Sequence, residues 1–112
     1  MAAGVYDIVI DQGADFAISM IIKTDNVALN LVGQTGYAQL RPSPSSDTLT
    51  ASFLVTATDA ANGELTMRLP YTTTANIAAG KYYYDLELYN ASTDAMTRLI
   101  QGVARVTQNV TR

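Results

Sequence analysis

The sequence contains no cysteine and no histidine, and it has no run of like charges. Without cysteine, disulfides, thiolate metal sites and thiol nucleophiles are excluded. Without histidine, the commonest general base and the commonest metal ligand are missing together. We therefore expect a protein that is not an enzyme and that holds no cofactor and no metal ion.

Basic stripes and long apolar runs are also absent. Seven Lys and Arg residues are scattered among 10 Asp and Glu residues, whereas a nucleic-acid binder typically has a basic patch. The longest apolar runs are far shorter than the roughly 20 residues of a membrane span. Residues 1–5 lack the basic and apolar regions of a signal peptide. We expect no nucleic-acid partner, no membrane partner, and assembly in a cytosol.

The residues that are present are typical of one small globular domain. Apolar residues make up 48% of the 112 residues and charged residues 15%, which is not the balance of a disordered chain. Apolar and polar side chains alternate with a period of two, which predicts strands. The predicted strands cover residues 5–10, 16–23, 37–41, 49–56, 64–69, 81–89 and 96–107.

Turn signals separate these strands. Turns are predicted at residues 24–26, 42–47, 60–63 and 90–94. Residues 72–80 are expected to hold one short helical turn, closed by Gly80, as a crossover between sheets. Gly33 and Gly36 belong to no phosphate-loop motif and are expected to shape a bend before strand 37–41. Seven strands at this spacing predict a single all-β sandwich domain over residues 1–112.

Carboxylates supply the candidates for chemistry. Alternation places Asp85 and Glu87 on the outer face of strand 81–89, where two carboxylates in different environments are the pattern of an acid–base pair. The ordinary interpretation is a solvated face, with Arg98 on a neighbouring strand as an ionic partner, and we favour it. Asp11, Asp15 and Asp25 match no calcium-loop motif and are expected to be turn residues.

Tyrosines are the most distinctive feature, since seven are present and three of them are consecutive. Alternation directs Tyr82 and Tyr84 to the core, with their hydroxyls reaching the rim, and directs Tyr83 and Tyr89 outward. Outward tyrosines favour a partner interface, while plain surface exposure is an equal alternative. Tyr83 and Tyr89, together with Asp85 and Glu87, form the candidate interface.

Several stretches resemble a family of small tailed-bacteriophage virion proteins. They are YDIVIDQGADF at 6–16, LNLVG at 29–33, YAQLR at 37–41, AGKYYYDLEL at 79–88, TRLIQG at 97–102 and VTQNVTR at 106–112. They occur in order over nearly the whole chain, although residues 34–36 intervene where the family runs directly into the tyrosine. More loosely, the pattern is similar to the immunoglobulin-like N-terminal domain of phage baseplate upper proteins.

The resemblance implies an immunoglobulin-like antiparallel β-sandwich of about seven strands, a place in the virion and no catalytic residue. The function hypothesis is a non-enzymatic assembly module of the tail or baseplate. Its expected partners are other phage virion proteins and copies of itself in a symmetric assembly. One alternative is a capsid decoration (cement) protein on the phage head. A second is a carbohydrate-binding module for host attachment, which needs exposed aromatics in a groove with polar neighbours.

Overall fold

The computed structural model describes residues 4–111, which form a two-sheet sandwich. In chain order, the strands are β1 (Gly4–Val5), β2 (Ile8–Asp11), β3 (Phe16–Ile21), β4 (Lys23–Thr24), β5 (Val27–Ala28), β6 (Gln34–Arg41), β7 (Ala51–Ser52), β8 (Leu54–Asp59), β9 (Glu64–Leu69), β10 (Gly80–Asn90) and β11 (Ala95–Thr107). A 3-10 turn, Ala60–Asn62, precedes β9, and one short helix, α1 (Tyr71–Thr74), follows it.

The larger sheet has the order β1-β11-β10-β6-β7, and β2 continues the edge along β11. The smaller sheet has the order β3-β9-β8, and β4 and β5 form a separate hairpin. In immunoglobulin terms, β3, β9 and β8 correspond to strands B, E and D, and β6, β10 and β11 to strands C, F and G. The predicted immunoglobulin-like sandwich is therefore confirmed.

One edge of the larger sheet departs from the antiparallel expectation. β1 and β2 both run parallel to β11, because the first and last strands of the chain share one edge and one direction. The edge is interrupted at Tyr6 and Asp7, where the backbone crosses over Gly102 of β11. A Cβ on Gly102 would overlap the Tyr6 carbonyl, and the Tyr84 hydroxyl donates a hydrogen bond to that same carbonyl. Predicted strand 5–10 is thus two short strands.

Predicted strand 49–56 is also divided, at Phe53. β7 pairs with β6 in the larger sheet, whereas β8 pairs with β9 in the smaller sheet. Phe53 is buried between them, and its ring contacts those of Phe16 and Tyr84 at centroid distances of 6.0 and 6.1 Å. The chain changes sheets here because Phe53 anchors the corner in the core.

The core lies between the inner faces of the two sheets. In β9 and β10, buried and less buried residues alternate as the sequence predicts. The largest of the fully buried side chains are Ile10, Leu31, Leu40, Leu65, Met67, Leu69, Thr74 and Leu86. Phe16, Ile18, Met20 and Ile22 pack against this cluster, which confirms the predicted core face of strand 16–23.

Two turns follow the chemistry of their residues. Asp25 and Asn26 adopt φ values of 52° and 65° between β4 and β5, as a tight hairpin turn requires. Gly63 adopts a φ of 75° after the 3-10 turn, and its Cβ position would collide with the Ile22 and Leu29 carbonyls. Both predicted turns are therefore confirmed.

The crossover between β9 and β10 differs in detail from the expectation. α1 ends at Thr74, and Gly80 is the first residue of β10 instead of a helix cap. The buried Thr74 hydroxyl donates to the Ala14 carbonyl at 2.8 Å and ties the crossover to the bend before β3. At the start of β10, the Tyr82 hydroxyl donates to the Ala78 carbonyl at 2.6 Å, which is the tyrosine corner of immunoglobulin-like domains.

The two glycines before the predicted third strand have different roles. Gly33 adopts a φ of 80° in a turn and shapes the expected bend. Gly36 lies inside β6, because the strand begins at Gln34 instead of Tyr37. A Cβ on Gly36 would fall 2.5 Å from Val55 Cγ1. The glycine therefore allows β6 and β8 to approach closely.

Candidate functional site: the outer face of the larger sheet

The candidate site is built on β10. Tyr84, Leu86 and Leu88 are buried on its inner side, and the alternate residues are only partly buried on its outer side. These outward residues are Tyr83, Asp85, Glu87 and Tyr89, the four residues of the candidate interface. The structure therefore places all four on one face, as the alternation predicted.

Strands β6 and β11 extend this face on both sides of β10. Directly opposite residues of paired strands project to the same side. Five rows result: Lys81 with Arg105; Arg41, Tyr83 and Val103; Gln39, Asp85 and Gln101; Tyr37, Glu87 and Arg98; and Thr35, Tyr89 and Met96. We call the surface formed by these five rows the tyrosine face.

The tyrosine face is concave. An open groove of about 570 Å³ runs over Tyr83, Asp85 and Glu87, with Arg41 and Arg98 among its lining residues. A second groove of about 460 Å³ adds Tyr37, Tyr89 and Met96 and shares Gln39, Asp85 and Glu87 with the first. The two grooves are therefore continuous, and the four candidate residues line them together.

One ion pair crosses the face. Arg98 Nε lies 3.4 Å from Asp85 Oδ2, with side-chain exposures of 53% and 35%. A shift in the β10–β11 register after Leu86 places Arg98 directly opposite Glu87, while its guanidinium reaches Asp85 and Gln101. The predicted ionic partner of these carboxylates, Arg98, is thus present beside Asp85. A pair this exposed contributes at most about 1 kcal/mol to folding, so its importance lies in the charge it presents.

The tyrosine hydroxyls have different environments. Tyr89 donates a hydrogen bond of 2.9 Å to Asp94 Oδ1, and this bond raises the pKa of Tyr89. Burial raises the pKa of Tyr84 to about 12, with a smaller contribution from the nearby Asp7 carboxylate. Tyr84 packs in the core and Tyr89 lies at the surface, in agreement with the predicted directions of their side chains.

Cations gather at one end of the face. The Lys81 ammonium lies 5.4 Å from the centroid of the Tyr83 ring, within the range of a cation–π contact. Lys81 is also directly opposite Arg105. Arg41 hydrogen-bonds Gln39 and the Ser46 carbonyl beside them. Three cationic side chains therefore lie at this end of the tyrosine face.

Sequence reasoning missed several members of the tyrosine face. Tyr37 and Arg41 could have been found, because Ala38 and Leu40 between them are apolar and buried and alternation then directs Tyr37 and Arg41 outward. Lys81 and Arg105 could not have been joined, since only the register of β10 against β11 makes them neighbours.

The remaining carboxylates have structural roles. Asp15 accepts a hydrogen bond from the Tyr71 amide at 2.7 Å, and Asp11 accepts one from the Thr107 hydroxyl at 2.8 Å. Within residues 4–111, no three His, Cys, Asp or Glu side chains are grouped so that they could hold a metal ion. In the same part of the chain, no helix has the length and apolarity needed to cross a bilayer.

Comparisons with known proteins find structural likeness only. No family model and no curated protein matches the chain. Among solved structures, NK cell receptor NKp44 is 12% identical with a TM-score of 0.46, and the match covers 96% of this chain and 100% of the receptor. InlP from Listeria monocytogenes is 15% identical with a TM-score of 0.44 over 93% of this chain.

A family 123 glycoside hydrolase from Clostridium perfringens is also similar, at 12% identity and a TM-score of 0.43 over 97% of this chain. The chain spans 26% of InlP and 24% of the hydrolase. At these identities and scores, the likenesses assign no function to this chain.

Proposed function

We propose that this protein is a non-enzymatic structural module of a bacteriophage particle, located in the tail or baseplate, that docks on neighbouring virion proteins through the tyrosine face. The placement in a virion rests on the sequence resemblance, which extends in order over nearly the whole chain. The docking role rests on the tyrosine face itself. Assembly occurs in the bacterial host, and the finished location is the virion.

The observation that carries the docking role is the composition of one sheet face. Tyr37, Tyr83 and Tyr89 share it with Arg41 and Arg98. Tyrosine and arginine are enriched at protein interfaces, because they combine a large contact area with directed hydrogen bonds. Tyr37 is 52% exposed, so much of its ring is free to be covered by a partner.

Within a virion, contacts of modest affinity are sufficient for docking. Virion proteins act as many symmetric copies, and linked contacts gain strength from effective concentration without any new interaction. A shallow groove of mixed charge is adequate under those conditions, whereas a single isolated contact of that kind would be weak.

The test is to purify the particles made by the phage that encodes this chain and to analyse them by mass spectrometry and cryo-electron microscopy. We expect the chain in the particle, at the tail or baseplate, with the tyrosine face covered by a neighbour. Density on the head surface would favour the capsid decoration alternative. Absence of the chain from purified particles would overturn the proposal.

A carbohydrate-binding module is the second candidate, and one observation favours it. Tyr83 lines a groove together with the polar side chains of Gln39, Arg41 and Asp85, as sugar recognition requires. A glycan array tests it, with Tyr83→Ala as the variant and Thr66→Ala, on the other sheet, as the control. Loss of glycan binding in the first variant alone would favour this candidate over assembly.

Enzymatic activity has its own test. Measurable glycosidase turnover by the wild-type protein, abolished by Asp85→Asn without loss of folding, would overturn the non-enzymatic part of the proposal.

A further inference from the structure

The charges of the tyrosine face are separated along the strands. The end near the start of β10 holds Lys81, Arg105 and Arg41, with the exposed carboxylates of Asp7, beside Val103, and of Asp11, beside Thr107. Lys81 and Arg105 are directly opposite, an arrangement that destabilises a sheet. Within residues 4–111, neither of them has an acidic group at ion-pair distance. We call this the basic end.

The other end is its complement. Asp85, Glu87 and Asp94 supply three carboxylates against the single guanidinium of Arg98. The basic end therefore has three cations and two carboxylates, and the acidic end has three carboxylates and one cation. The charges of the face are thus separated along the strands, and the whole chain carries a net charge of −3.

The basic end and the acidic end lie at equal distances along β10 on the two sides of Asp85. Tyr83, beside Arg41, lies two residues before it, and Glu87 lies two residues after it. Lys81 lies four residues before it, and Tyr89, bonded to Asp94, lies four residues after it. Consider a twofold axis that lies in the plane of the contact and crosses the strands at right angles at Asp85. This axis places the basic end of one copy over the acidic end of the other.

We infer that the partner of the tyrosine face is a second copy of this chain, in an antiparallel face-to-face dimer. This inference deepens the proposed function and rests on it for the role of the dimer, although it can be tested separately. Lys81 and Arg105 of each copy then lie near Asp94 of the other, and Arg41 lies near Glu87. An isologous contact of this kind closes on itself and makes a discrete dimer.

The size of the face sets the strength of the contact. Three strands at about 4.8 Å spacing and nine residues at about 3.3 Å each span on the order of 400 Å². A standard specific interface buries about 800 Å² per partner, and weak interfaces bury less. The tyrosine face alone therefore supports a weak dimer, with Tyr83 near its centre and Tyr37 and Tyr89 towards one end of each copy.

Charge reversal tests the dimer in the intact chain. Variant one carries Lys81→Glu with Arg105→Glu, and variant two carries Asp94→Lys. The control carries Lys23→Glu with Arg68→Glu, which makes the same charge change as variant one at exposed positions away from the tyrosine face. Sedimentation equilibrium measures self-association, and native mass spectrometry of a mixture identifies which variants pair.

We expect the wild type and the control to dimerise, and each variant alone to self-associate at least about tenfold more weakly. An equimolar mixture of variants one and two should form the mixed dimer, because their ends are again complementary. Higher salt should weaken the wild-type dimer. Circular dichroism verifies folding, and Lys81→Gln with Arg105→Gln replaces variant one if that variant unfolds.

Three outcomes would overturn the inference: a wild type that stays monomeric at millimolar concentration, variants that dimerise as tightly as the wild type, or a mixture without mixed dimers. None of these bears on whether the chain is present in purified particles. The dimer and the proposed function can therefore fail independently.

Discussion

The two sheets of the sandwich share one core but present opposite outer faces. The smaller sheet exposes Ser19, Arg68 and the aliphatic side chains of Ile21 and Leu54, and Ser19 hydrogen-bonds Thr66 at 2.9 Å. The larger sheet exposes tyrosines and paired charges along the tyrosine face. Tyrosine and arginine are enriched at interfaces. The aromatic residues and the paired charges are therefore concentrated on the larger sheet, whose outer face is the one we propose for docking.

Truncating the shared core should affect stability most and should not distinguish the two sheets. Leu86→Ala in β10 and Met67→Ala in β9 each remove a side chain that is fully buried. We expect each to lower the free energy of unfolding by about 2–5 kcal/mol, from lost transfer energy and the cavity left behind. Urea denaturation measures this. A much smaller effect in one sheet would contradict a common core.

The backbone crossing should matter next, and only in the larger sheet. Gly102→Ala places a methyl group against the Tyr6 carbonyl, which must move and take the parallel edge strands with it. We expect a loss of about 2–3 kcal/mol by thermal unfolding. Gly33→Ala is the control for backbone effects, because its Cβ would meet nothing within 4 Å although its φ is 80°. Equal losses in both variants would contradict the steric explanation.

Removing the Tyr84 hydroxyl should have a smaller effect. Tyr84→Phe leaves the Tyr6 carbonyl without its hydroxyl donor and should cost about 1–2 kcal/mol at neutral pH. Burial raises the pKa of Tyr84 in the folded protein to about 12, above the value of about 10 in the unfolded chain. The stabilisation contributed by the Tyr84 phenol is therefore fully present below pH 10. It is lost between pH 10 and 12, because in that range the phenol ionises in the unfolded chain but stays protonated in the folded protein.

The variant should therefore lose less stability than the wild type over that pH range, as measured by urea denaturation at each pH. Tyr83→Phe, on the tyrosine face, is the control. An unchanged alkaline decline in Tyr84→Phe would contradict this assignment.

Substitutions on the outer faces should have the smallest effects on stability and should separate the faces by docking. Tyr83→Ser and Thr66→Ala are each expected to change the free energy of unfolding by about 0.5 kcal/mol or less. Only Tyr83→Ser should weaken self-association, because its ring lies near the middle of the tyrosine face. Sedimentation of both variants checks this. Equal association would remove the functional distinction between the faces.

Much of this architecture could be predicted from alternation alone. The bounds of β9 agree with the prediction, β10 is longer than predicted by one residue at each end, and β11 begins one residue earlier. The outward direction of Tyr83, Asp85, Glu87 and Tyr89 was also predictable, because a period of two leaves only two faces. The break at Phe53 was not predictable. The residues before and after Phe53 form one continuous predicted strand, although the first half joins the larger sheet and the second half joins the smaller sheet.

Only part of the candidate site could be predicted from the sequence. Its residues on β10 follow one another along the chain, but Arg41 and Arg105 come from segments far apart in sequence. Nothing in the chain near Lys81 indicates that Arg105 lies opposite it. The parallel edge and the need for glycine at position 102 likewise arise from contacts with Tyr6.

The sequence by itself determined which residues extend, which side of each strand faces inward and where the chain turns, because these depend on neighbours a few residues away. The tertiary structure alone decided the strand register, the change of sheets at Phe53 and the separation of charge on the tyrosine face. Those features depend on side chains brought together from distant segments, and the packing of one core selects that arrangement.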